Sequence, residues 1–204
     1  MSIRSDSIPF VLPLAIGTAI LAAVGSSGGY VLGLITVAVA AFFRDPERIS
    51  NAAIDAVLSP ADGRVLAVDE TDDGRARITI FLSVFNVHVA RSPAAGELVR
   101  SQACGGGFAA AFSPKADKNA RVEMEILTTE GLLEVTLFAG LVARRVLPWV
   151  AAPATLRRGQ RIAIIRFGSR SRVILPKSLQ ATVKKGEQVR AGLTPLGRRK
   201  PERA

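Results

Sequence analysis

A chain of 204 residues is long enough for one sizeable core and an appendage. Its formal net charge of +10 suits an anionic membrane surface or nucleic acid, but aromatics at only 5% supply few platforms for stacking bases. The single Cys104 excludes an internal disulfide, and with one histidine, His88, no Cys/His metal cluster can form. Any chemistry that needs an imidazole therefore falls to His88.

Mean hydropathy is +0.29, and the apolar excess lies near the N-terminus. Phe10 to Val24 and Tyr30 to Phe43 are uncharged apolar runs on either side of a Gly/Ser break at Gly25 to Gly29. Neither shows the polar stripe of a surface helix. Each is shorter than the about 20 residues of one bilayer crossing, so a helical hairpin or one bent helix is expected in the membrane. No basic n-region and cleavage site mark a signal peptide. Phe42-Phe43-Arg44-Asp45-Pro46-Glu47-Arg48 follows, aromatics then charges, as at a membrane boundary. With Arg4 on the same side of a hairpin, Arg44 and Arg48 point to the cytoplasmic face.

Beyond Ala53 the chain breaks into short β-rich runs with turn signals. Leu58 to Gly63 reads as a turn before a strand from Arg64 to Val68. Asp72-Asp73-Gly74 is a hairpin turn. Arg75 to Ala90 reads as one long buried strand ended by Arg91-Ser92-Pro93, and Glu97 to Arg100 as another. A loop from Cys104 to about Asn119 holds Gly105 to Gly107, a candidate lid or plain linker, and Phe108 to Phe112, the one helical candidate. Val122 to Thr128 and Leu132 to Phe138 form a hairpin around Glu130-Gly131, and Val142 to Leu147 continues the pattern. Ile162 to Phe167 and Val173 to Leu175 are strands around Gly168-Ser169, whose simplest reading is a tight turn. Val183 to Val189 is a turn between short strands, and Arg198 to Ala204 a basic, disordered tail. The fold expected is mostly β (α+β): a barrel-sandwich-like β domain over 51–204, preceded by an apolar helical membrane anchor over 1–50.

Asp62, His88 and Ser169 each have an ordinary structural role when taken singly: a turn aspartate, a packed histidine, a turn serine. Together they supply an acid, a base and a hydroxyl, the makings of an activated nucleophile. A serine held in strained backbone can attack the carbonyl before it, and Gly168 leaves that carbonyl open.

FFRDPER, LSPADGRV, FLSVFNVHVARSPAAGEL and RFGSR, in order from residue 42 to 172, resemble phosphatidylserine decarboxylase of the short bacterial and archaeal type. The resemblance implies a proenzyme in which Asp62 orients His88, and His88 activates Ser169 against Gly168. The chain would divide into residues 1–168 and 169–204. The second piece would begin with a covalent pyruvoyl group from Ser169, which forms a Schiff base with phosphatidylserine and yields phosphatidylethanolamine and CO2. No metal is implied. Partners would be phosphatidylserine in an anionic membrane and the two chains of one proenzyme, compatible with a homo-oligomer and without nucleic acid. Arg166, Arg170 and Arg172 are candidate phosphate ligands. Longer relatives carry LGST where Phe167-Gly168-Ser169-Arg170 stands, and a second histidine where Arg91 stands. SPADGRV and VKKGEQV also resemble the paired turns of biotinyl/lipoyl barrel-sandwich domains, without the carrier lysine tip. The competing reading is a non-catalytic, membrane-tethered basic β-domain that binds acidic lipid or nucleic acid.

Overall fold

The computed structural model describes residues 2–3, 5–110, 113–140, 145–165 and 169–200. The chain separates into two units, 1–47 and 48–204.

In the first unit, β1 (Ser2–Ile3) and a 3-10 turn (Ser5–Ser7) lead into α1 (Ile8–Ala23). Gly25, at φ +68°, turns the chain into α2 (Gly28–Phe42). β2 (Arg44–Asp45) then pairs antiparallel with β1, so the segment leaves where it began and the helices form a hairpin. The helices approach closely at glycine: a Cβ on Gly29 would lie 3.1 Å from the Ala22 nitrogen. Thr18 and Thr36 share a hydroxyl hydrogen bond of 3.1 Å between the helices. Outward-facing Ile8, Leu12, Ile16, Ile20 and Leu34 are all exposed. The stretch Ser5–Ala23 is 19 residues of mean hydropathy 1.7, long and apolar enough to cross a membrane, whereas α2 is shorter.

The second unit is built from β3 (Val57–Leu58), β4 (Gly63–Glu70), β5 (Ala76–Leu82), β6 (Val89–Arg91), β7 (Gly96–Cys104), β8 (Arg121–Thr128) and β9 (Gly131–Phe138). These are followed by β10 (Val146–Pro148), β11 (Ala154–Leu156), β12 (Arg161–Ile165), β13 (Ser169–Ile174), β14 (Leu179–Ala181), β15 (Gln188–Val189) and β16 (Pro195–Arg199). An eight-stranded sheet runs β11-β7-β8-β9-β13-β5-β4-β15, and two three-stranded sheets run β10-β12-β6 and β14-β16-β3. The domain is mostly β, as expected, and among the described residues no sheet closes into a barrel. The paired turns do meet, because Gly186 N–H donates to Val65 O and Val65 N–H to Glu187 O. The core is aliphatic, with Ile78, Ile80, Leu98, Ile126, Leu133, Val135, Ile162 and Val173 buried between the sheets.

Four expectations change. Arg75 to Ala90 is two strands, β5 and β6, in different sheets. The Asn86 side chain accepts from Ser83 N–H at 2.9 Å and from its hydroxyl at 3.0 Å, which ties a turn between them. Apolar Val84 and Phe85 sit exposed on that turn and disguise it as strand. Likewise β12 and β13 are no hairpin: β12 pairs with β6 and β10, β13 with β5 and β9. Arg198 and Arg199 belong to β16 rather than to a loose tail, while 201–204 lie outside the described residues. The expected Phe108–Phe112 helix falls partly outside them too, and Phe108 to Ala110 is not helical.

Candidate active site

β5 and β13 belong to the large sheet, and β6 and β12 to the β10-β12-β6 sheet. Ser169 is in register with Leu82, and Ile165 N–H donates to His88 O at 3.0 Å. β13 thus starts opposite the end of β5, and β12 ends beside His88.

One cross-strand row fixes which end of the sheet this is. Cys104, Arg121, Phe138, Arg170, Phe81 and Arg64 stand side by side across six strands. Asp62 precedes that row by two residues and Ser169 by one, so both belong to the same edge. Gly63 permits this approach: a Cβ there would lie 2.0 Å from Phe81 O.

Ser169 is fully buried, and among the described residues its Oγ has no hydrogen-bond partner. A buried hydroxyl without a partner is costly and calls for explanation. His88 is 1% exposed, with Nδ1 2.9 Å from Asn86 O. A carbonyl only accepts, so Nδ1 carries the hydrogen and, in the neutral ring, Nε2 holds the basic lone pair. Asp62 is engaged elsewhere. Arg48 clasps its carboxylate through two bonds of 2.5 and 2.9 Å, and Ala191 N–H adds a third at 2.8 Å. The expectation that Asp62 orients His88 therefore differs from this arrangement, in which the Asn86 backbone carbonyl holds the ring. Neither Asn86 nor Arg48 was singled out for this from sequence. FFRDPER and FNVH contain them, but nothing in a sequence pairs residues so far apart as Arg48 and Asp62.

Arg170 and Arg172 alternate with Ser169 and Ser171 along β13 and so project from the opposite face. Both guanidiniums bind Asp117 and lie over the Phe138 ring, 4.7 and 5.2 Å from its centroid. Burial lowers the Arg170 guanidinium, with Asp117 opposing it. Burial raises the Asp117 carboxyl, but the charges of Arg170 and Arg172 outweigh this and hold it below its ordinary 3.8. This clamp docks the Pro114–Lys118 turn on the sheet and engages both arginines, so it does not aim them at Ser169. Arg166 and Gly168 lie outside the described residues. Nor is the glycine loop a free linker: buried Asn119 binds Ala109 N–H and O and Ala139 O.

The fold is thus mostly β, with Ser169 and His88 both buried and the His88 ring held by Asn86 O. Residues 35–197 match the phosphatidylserine decarboxylase family model. The chain is 41% identical over 198 residues to a phosphatidylserine decarboxylase proenzyme of Thermobifida fusca, covering 94% of this chain and 90% of that one. It is 42% identical over 202 residues to one of Burkholderia ambifaria, covering 95% and 94%. A third, from Streptomyces griseus, is 39% identical over 202 residues, covering 96% and 93%. The chain belongs to the phosphatidylserine decarboxylase family.

Proposed function

We propose that this chain is a self-processing proenzyme whose mature form decarboxylates phosphatidylserine to phosphatidylethanolamine. The observation that carries the reading is the buried Ser169 hydroxyl, which has no hydrogen-bond partner among the described residues, together with the buried His88 whose ring is held by Asn86 O. His88 Nε2 takes the Ser169 proton, and Oγ bonds to the Gly168 carbonyl carbon. The Gly168–Ser169 C–N bond breaks as the proton passes to the departing nitrogen, leaving an ester. Loss of the Ser169 Cα proton expels the Gly168 carboxylate, and water replaces the nitrogen as ammonia. Residues 1–168 and 169–204 result, the second capped by a pyruvoyl group.

That group, when formed, supplies a ketone that condenses with the substrate amine and accepts the electron pair released with CO2. The residues present fit it, because the Ser169 hydroxyl, with no hydrogen-bond partner among the described residues, can be converted without breaking a hydrogen bond there. His88 holds and returns a proton at Nε2, the burial of both side chains excludes water, and Asn86 O fixes the ring. Arg166 remains our candidate for the substrate phosphate, and Arg170 and Arg172 act through the Asp117 clamp. The helical hairpin seats in the membrane, with the β domain on the cytoplasmic side. Mass spectrometry of purified protein tests this: two chains are expected, the smaller starting with pyruvoyl at 169. Ser169→Ala and His88→Asn should each stay as one chain. An uncut, active wild type would overturn the reading and leave a membrane-tethered basic domain.

A further inference from the structure

The row Cys104, Arg121, Phe138, Arg170, Phe81 and Arg64 marks one edge of the eight-stranded sheet, and two connections leave the sheet there. The Ser83–Asn86 turn follows β5, whose last residue, Leu82, is in register with Ser169. Residues 105–120 join β7 to β8. From Arg121 to Phe81 the row crosses three strand spacings, about 14 Å at roughly 4.8 Å each. β13, which opens with Ser169, lies between the two connections.

The first connection ends in an apolar tip. Val84 is 48% exposed and Phe85 84%, whatever else the Phe85 ring touches. The tip is tied rather than loose: Asn86 N–H donates to Ser83 O at 3.0 Å, and Asn86 Oδ1 accepts from Ser83 N–H. On the second connection Phe108 and Ala109 line a cleft of about 670 Å³ together with Lys115 and Lys118. These lysines are exposed and stand three apart on the 3-10 turn Pro114–Lys118, hence on one side of it. The acid between them, Asp117, is bound to Arg170 and Arg172. Apolar area alone does not choose this edge, since Leu127 and Leu132 are exposed near the opposite one. Charge does. Residues 83–86 and 105–120 hold two lysines and one acid, the clamped Asp117. The far turns, 71–74 and 129–130, hold three acids, Asp72, Asp73 and Glu130, and no base. An apolar aromatic tip and lysines along one edge fit an anionic headgroup layer, and phosphatidylserine, the family's substrate, is a lipid of such a layer.

We infer that the β domain lays this edge on a phospholipid bilayer, with Val84 and Phe85 in the headgroup–acyl boundary on one side of Ser169 and Lys115 and Lys118 against lipid phosphates on the other. The surface is separate from the cleavage chemistry and stands whether or not the chain divides. The test uses the full-length protein in nanodiscs of phosphatidylcholine with phosphatidylglycerol, spin-labelled through Val84→Cys or Asp72→Cys, each with Cys104→Ser. The label at 84 is expected to be relaxed by oxygen, which concentrates in lipid, and shielded from an aqueous nickel chelate. The label at 72 is expected to show the reverse. Lys115→Gln/Lys118→Gln should shift the label at 84 toward water, by roughly fivefold in the equilibrium per lysine at low salt. Should the cysteine variants not fold, Phe85→Trp serves instead: lipid brominated high on its acyl chains should quench it beyond the quenching of Trp149 in the unaltered protein. Labels at 84 and 72 equally open to the chelate, or no quenching beyond that of Trp149, overturn the inference. So does a label at 84 that is shielded only in particles holding two copies, which makes the partner a second chain. Denaturing gels of the same samples follow division at 169, so failure of the decarboxylase reading is seen separately.

Discussion

Asp62 and Arg48 form the most consequential side-chain pair outside the reacting groups. Their side chains are 11% and 7% exposed, so removing one leaves a nearly buried charge alone. Breaking a buried pair on one side costs on the order of 3–5 kcal/mol. Arg48→Ala should lower the thermal midpoint sharply and slow self-cleavage, and Arg48→Lys, without the fork, should recover only part of the loss. Calorimetry and a time course on denaturing gels would check both. At His88 the control is indirect. Asn86 presents its carbonyl to Nδ1 because its own side chain ties Ser83. Asn86→Ala should leave the core stable but slow division at Ser169 by about ten-fold, a part of the roughly hundred-fold or more that general base catalysis is worth. Normal division in that variant would show that the turn does not position the ring.

At the scale of elements, Gly63 decides how closely β4 meets β5. Gly63→Ala places a methyl 2.0 Å from Phe81 O, so the sheet edge beside Asp62 must open. A lower thermal midpoint together with uncut chain is expected. The Asp117 clamp has a pH signature. A carboxyl held below 3.8 in the folded state adds stability that is fully present above that value and fades as pH falls through the folded pKa. Asp117→Asn should therefore cost stability near neutral pH and little in strong acid, and thermal melts across that range would show the two curves converging. Asp117 is half exposed, which keeps the effect small. Much of this layer was legible. The turns at Asp73-Gly74 and Glu130-Gly131 carry glycines at φ +76° and +116°, as the sequence pattern predicts. What misled was apolar residues on an exposed turn: Val84 and Phe85 extend an apolar run that Asn86 in fact breaks. Strand pairing was also invisible. β12 and β13 are neighbours in sequence yet partner strands of different sheets, and no local pattern encodes which.

At the scale of the whole molecule, the reading to test is attachment to a membrane through the apolar N-terminal helices. Two attractions are available, and they respond differently to salt. The net charge of +10 draws the protein to anionic lipid, an interaction screened within about 10 Å at 0.1 M salt. The hairpin instead offers apolar side chains all round, with α1 burying none of its residues. Burial of such surface in lipid is worth roughly 25 cal/mol per Å² and does not weaken with salt. Ile16, Ile20 and Leu34 are each more than half exposed. Apolar insertion should therefore dominate. Membranes containing the full chain, washed in molar salt or at alkaline pH, should retain it, and detergent should release it. Replacing Ile16, Ile20 and Leu34 by Asn should shift protein to the soluble fraction while leaving the β domain folded. Complete release by salt alone would instead make the basic surface the anchor and reduce the hairpin to a contact with the surface.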